Sequence, residues 1–174
     1  MDKLQKGYQI TQAFRYIQKL FIECQRLFLK VDNHMAPEWI TIYGNRITKD
    51  VTASLQDPNK WIVESIFRVY GNSQDQAVNK AITISFWGNE IDQPVITVGK
   101  IIYSDSSKRD HWDLWRIWFE WEENEERTLD GKIKILTSKE CAYVKEAHIF
   151  SLPLIDITND EILNEKIIKP LKAL

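Results

Sequence analysis

The stretch Asp110-His111-Trp112-Asp113-Leu114-Trp115-Arg116-Ile117-Trp118-Phe119-Glu120-Trp121-Glu122 carries four of the seven tryptophans in this 174-residue chain. Its period decides the architecture. Read as a strand, it places Trp115, Ile117, Phe119 and Trp121 on one face and Arg116, Trp118, Glu120 and Glu122 on the other. Read as a helix, it places Asp113, Arg116 and Glu120 in a narrow polar stripe along an otherwise apolar cylinder. Aromatic residues favour strands, the flanking segments alternate with period two, and so apolar a helix needs burial nearly all round. A strand is therefore expected, with Trp118 and Trp112 among charged groups on its less buried face.

Upstream the period is helical. Ile10, Phe14, Ile17, Phe21, Cys24, Phe28 and Val31 alternate in steps of four and three, and Ala13, Leu20 and Leu27 widen the seam. Gln12, Lys19, Glu23, Arg26 and Lys30 solvate the opposite face. The helix should stop before Pro37, because the residue preceding a proline is pushed out of the α region. Phe14, Phe21 and Phe28 suit a helix that covers a sheet, since each blankets a broad area of pleated surface.

Between these two regions the pattern is that of strands. Trp61, Val63, Phe67 and Val69 alternate with Glu64 and Arg68, Ile82, Ile84 and Phe86 alternate with Thr83 and Ser85, and Val95 to Tyr103 is rich in β-branched residues. Three glycines share one context, Tyr43-Gly44-Asn45, Tyr70-Gly71-Asn72 and Trp87-Gly88-Asn89. They read as strand ends where positive φ lets the chain reverse, not as phosphate loops. Downstream, Lys132 to Leu136 and Ala147 to Ile157 are further strand candidates, the first entered through an Asp130-Gly131 turn. Thr158-Asn159-Asp160-Glu161 has the form of a capping box, and the helix that follows should end at Pro170.

Together these elements predict one α+β domain over residues 1–174. A long N-terminal amphipathic helix packs on a mainly antiparallel sheet of about five to seven strands, and a short helix closes the C-terminus. A hydrophobic share of 44% and a charged share of 28% are those of an ordinary globular chain. No apolar run approaches bilayer length and the first residues lack a signal-like core, so a cytoplasmic setting without membrane attachment is expected. Cys24 and Cys141 read as free thiols, and Cys24, on the helix seam, as a core residue.

The chemistry-bearing residues form no recognisable catalytic set. His34, His111 and His148 are scattered, without metal-ligand spacing, and neither a GxSxG elbow nor a cysteine-nucleophile signature occurs. No catalytic residue, metal site or cofactor is assigned. Glu120 and Glu122, about 7 Å apart along one strand face, have the separation of a sugar-cleaving pair, but no second element supports them. Asp130-Gly131-Lys132 has the letters of a nuclease motif and is equally an Asp-Gly turn.

Tryptophan and arginine dominate interface energetics, so the expected function is a non-enzymatic protein-binding module, an accessory, adaptor or chaperone-like subunit. Its expected contact residues are Arg109, His111, Trp112, Arg116, Trp118, Glu120 and Glu122. The acidic run through Glu123, Glu125 and Glu126 would supply a polar rim. The competing expectations are a small-ligand domain with an aromatic pocket, a hydrolase, and a single-strand nucleic-acid binder built on Lys108, Arg109, His111, Trp112, Trp115 and Arg116. The last is opposed by the net charge of −2 and by the adjoining glutamates.

Overall fold

The computed structural model describes residues 3–88, 91–122 and 128–174, with the side chains of 119–122 outside that description. The chain forms two compact units that divide after His34. The first is the body of helix α1 (Lys3–Met35), which ends ahead of Pro37 as its sequence requires. Its seam is helical throughout, but Phe14 is 60% exposed and does not act as a core residue. Cys24 is buried, and that burial pushes its thiol up to about 11, which fits a packing role rather than a reactive one.

The second unit is a seven-stranded antiparallel sheet flanked by helices, and the chain is α+β. Strands β1 (Ile40–Thr41) and β2 (Thr48–Lys49) both pair with β3 (Ser65–Gly71). From β3 the sheet continues through β4 (Val78–Ser85) and β5 (Val95–Tyr103) to β7 (Val144–Pro153), with β6 (Lys134–Leu136) at the far edge. The alternation at Trp61 does not extend β3. Pro58–Trp61 is a 3-10 turn, where proline's fixed φ and missing N–H suit a helical first turn better than a ladder.

The tryptophan segment is helical, not extended: α2 spans Asp113–Glu122. Spacing of three and four residues places Leu114, Ile117 and Trp118 on one buried face, packed with Val69, Ala81, Ile101, Tyr103, Ala147 and Ile149 of the sheet. That packing outweighs β propensity, which is a weak preference that context overrides. The helix also does not require burial all round, because Trp115 and Arg116 are only half-buried. A close approach to the sheet is permitted by Gly99 of β5. A Cβ there would lie 2.8 Å from Leu114 Cδ1 and 2.8 Å from the His148 carbonyl oxygen.

Of the three aromatic-Gly-Asn sites, only Gly44 takes positive φ, at 59°, in the turn between β1 and β2. Gly71 is still in β3, and a Cβ on it would meet Ile42 Cγ2 at 2.7 Å, so there the small residue serves packing. Asn89 of the third site lies outside the described residues. Gly131, with φ 73°, does turn the chain into β6.

The opposite face of the sheet carries Ile66, Ile82, Ile84, Ile96, Val98 and Phe150, all buried. The C-terminal segment on this unit runs as α3 (Asp160–Leu163), a π-helical turn (Asn164–Ile168) and α4 (Lys169–Ala173). The cap and the proline of this segment both differ from expectation. The cap is Asn159, whose side chain accepts from the Ile162 N–H at 2.9 Å, rather than Thr158; asparagine is at least as good a cap. Pro170 does not stop the helix, because the wider π turn before it accommodates a ring that lacks the N–H of a regular ladder. No helix among the described residues is long and apolar enough to cross a membrane.

Candidate interaction site at the start of the second helix

After β5 ends at Tyr103, Asp105 caps the 3-10 turn Ser106–Lys108 by accepting from the Ser107 N–H at 3.1 Å. The chain then enters α2 through a reciprocal pair. The Asp110 N–H donates to Asp113 Oδ2 at 2.8 Å, and the Asp113 N–H to the Asp110 carbonyl at 3.3 Å. This is the logic of a capping box, in which a carboxylate three residues in satisfies a donor at the helix start. The spacing Asp110-x-x-Asp113 was the one signal in the sequence that marks this as a helix entrance.

Asp113 is 0% exposed. Beyond the Asp110 amide, its carboxylate accepts from Tyr103 Oη at 2.9 Å and Tyr143 Oη at 2.6 Å. The two phenol rings stack in parallel, with centroids 6.3 Å apart. Burial, and then the Asp113 carboxylate, push both phenols well above the ordinary tyrosine range, so they remain donors. The first turn of α2 is thus bonded to β5 and to the approach to β7, which makes it a stiff base for whatever lies outside it.

Outside it lies an aromatic cluster. The His111 ring sits 5.6 Å from Phe67 and 5.9 Å from Tyr43, edge-on to both, and 5.1 Å from Trp112. Trp112 in turn lies 5.6 Å from Phe67 and 6.0 Å from Trp115. Asp110 turns its carboxylate outward, with Oδ1 at 2.7 Å from His111 Nδ1 and Oδ2 at 3.8 Å from Arg116 Nη2. Arg109 is exposed beside them.

Of the residues expected to meet a partner, His111, Trp112 and Arg116 are brought together here with Arg109 at the rim. Trp118 is not. It is 1% exposed, on the core side of α2, because three-residue helical steps rotate it away from Trp112 and toward the sheet. Glu120 and Glu122 belong to α2 by backbone, but their side chains lie outside the described residues, as do Glu123, Glu125 and Glu126 altogether. Sequence reasoning missed Tyr43 and Phe67, which come from a distant loop and from β3 and have no local signature.

The Asp110–His111 pair resembles half of a catalytic relay, but among the described residues no hydroxyl or thiol is hydrogen-bonded to His111, and no group of three metal-ligating side chains occurs. Burial lowers the pKa of His111, against the opposing pull of Asp110. The neutral ring is therefore the one that the fold favours. A histidine depressed in the folded state contributes stability that is present above its unfolded value, near 6.5, and is lost as pH falls through its folded value. His111→Phe keeps the ring contacts without the titration. Measured by urea unfolding, wild type should lose stability relative to this variant between pH 7.5 and 5.5, and a constant difference would exclude the linkage.

No family model, curated protein or solved structure matches this chain.

Proposed function

We propose that the chain is a non-enzymatic protein-binding module that engages its partner through Arg109, His111, Trp112 and Arg116. The observation that carries this reading is the half-buried His111–Trp112–Trp115 cluster set on a rigid helix start with a charged rim. Half-exposed indoles present a large apolar area at low entropic cost, and arginines beside them add planar hydrogen-bonding forks. An interface centre needs such groups held in place before binding, so that little ordering remains to oppose association. The buried Asp113 bonds to Tyr103 and Tyr143 supply that support from beneath.

The test is quantitative affinity capture from the native host, comparing wild type with Arg109→Glu and Trp112→Ala. Arg109 is exposed, so reversing its charge should leave the unfolding free energy within about 0.5 kcal/mol of wild type. Loss of a stoichiometric partner by Arg109→Glu, and by any Trp112→Ala protein that remains folded, is the expected result. Retention of every partner by both variants would remove this surface from the function.

A further inference from the structure

On the sheet face opposite α2, period-two alternation brings three basic residues into one cross-strand row. Lys80 of β4 is directly opposite Lys100 of β5, and Lys100 is directly opposite His148 of β7. Tyr70 and Ile135 bound the row at its two ends. Directly opposed residues hold their Cβ atoms about 4.5–5.5 Å apart, and like charges so placed are destabilising. Some compensation is expected.

The protein compensates only part of this charge. Lys80 is 3% exposed, and its Nζ donates to the Lys172 carbonyl of α4 at 2.9 Å and lies 4.5 Å from the centre of the Trp39 ring. A carbonyl and a ring face solvate an ammonium but do not neutralise it. Burial lowers the pKa of Lys80; Glu38 opposes that, and the charges of Lys100 and Lys172 add to it. His148 Nε2 sits 3.3 Å from Glu146 Oε1, so this carboxylate is already engaged. Lys100 is half-buried, and among the described residues it has neither an ion pair nor a hydrogen bond.

We propose that this row is a binding site for a phosphate-class oxyanion, contacted by Lys100, His148 and Lys172, with buried Lys80 as a fixed cation behind it. Lysine binds a compact, multiply charged oxyanion as a point charge, and α4, whose Lys172 carbonyl meets Lys80, brings a further lysine to the side of the sheet that carries Lys80 and Lys100. A bound anion would offset the repulsion between the opposed Lys80 and Lys100. This inference is independent of the protein-binding reading, since its residues lie on the other face of the sheet.

Thermal unfolding of the full chain in inorganic phosphate, in AMP, and in sodium chloride of matched ionic strength tests it. Wild type should melt about 3 °C higher in at least one of the two phosphate ligands than in chloride. Inorganic phosphate alone sufficing points to the free anion, and a rise with AMP only points to a phosphorylated metabolite. Lys100→Met keeps the length of the side chain without its charge. It should lose the rise and, in chloride, melt no lower than wild type. Titration calorimetry should show at least tenfold weaker binding to this variant. No rise in wild type with either ligand, an undiminished rise in Lys100→Met, or a Lys100→Met protein less stable than wild type in chloride would each overturn the proposal.

Discussion

Asp113→Ala should lower the unfolding free energy by about 3–5 kcal/mol, because it removes a fully buried carboxylate that accepts from three donors. Tyr103 Oη and Tyr143 Oη would both lose their partner, as would the Asp110 N–H at the entrance to α2. A buried donor left unsatisfied costs about 1–3 kcal/mol, which exceeds the net value of the bond when made. Loss of a negative charge from the first helical turn adds a few tenths to the total. Asp113→Asn should cost less, since its amide retains one acceptor oxygen and the phenol hydroxyls can rotate to accept from its NH2.

The assignment is sharpened by a double-mutant cycle with Tyr103→Phe. If the carboxylate and the phenol satisfy one another, the cost of Asp113→Ala should shrink by about 1 kcal/mol or more in the Tyr103→Phe background. Urea unfolding read by far-UV circular dichroism measures both. Strict additivity would mean that Asp113 does not hold Tyr103, and an unchanged midpoint for Asp113→Ala would remove its role as anchor of the helix start.

Trp118→Ala should be comparably severe, again about 3–5 kcal/mol, for a different reason. Its indole is 1% exposed and packs with Leu114, Ile117, Cys141 and Val144 under α2. Truncation forfeits the transfer free energy of the ring and leaves a cavity that the neighbouring strands are too rigid to close. Trp118→Phe refills most of that volume and should recover more than half of the loss. Loss of a binding partner by Trp118→Ala would therefore report unfolding, whereas Arg109→Glu separates contact from stability. An unfolding free energy for Trp118→Ala within about 1 kcal/mol of wild type would mean that Trp118 does not anchor α2 to the sheet.

Much of the sheet was legible in the sequence. Val95 to Tyr103 is rich in β-branched residues, and β5 has those bounds; the alternation at Ile82 and Ile84 falls in β4. Strands buried on one or both faces have a period that survives in composition, so their existence is a local property. The end of α1 ahead of Pro37 was local too, because the constraint acts between adjacent residues. Pro170 followed no such rule, since the π turn that ends at Ile168 altered the geometry that it met.

The candidate site was legible only in fragments. His111, Trp112 and Arg116 stood out by residue type, and they do meet, but the partners that orient them arrive from elsewhere: Tyr43 from a turn, Phe67 from β3, Tyr143 from the approach to β7. Nothing in a linear pattern encodes such meetings. The lysine row has the same character, for Lys80, Lys100 and His148 are ordinary residues until strand register sets them opposite one another.

The stretch from Asp110 to Glu122 divides the two kinds of information most clearly. By itself the sequence determined that this segment is regular, aromatic and too apolar to be a loop, and that the chain as a whole is α+β. Both periods fitted it, because its seven apolar residues in thirteen positions can be laid on a repeat of two or on a repeat of 3.6 alike. Only the tertiary structure decided between them. Gly99 opens room on the sheet for a helix, Tyr103 and Tyr143 hold its first carboxylate, and Leu114, Ile117 and Trp118 find a surface at helical spacing. Propensity worth tenths of a kcal/mol per residue yields to burial and satisfied hydrogen bonds worth several.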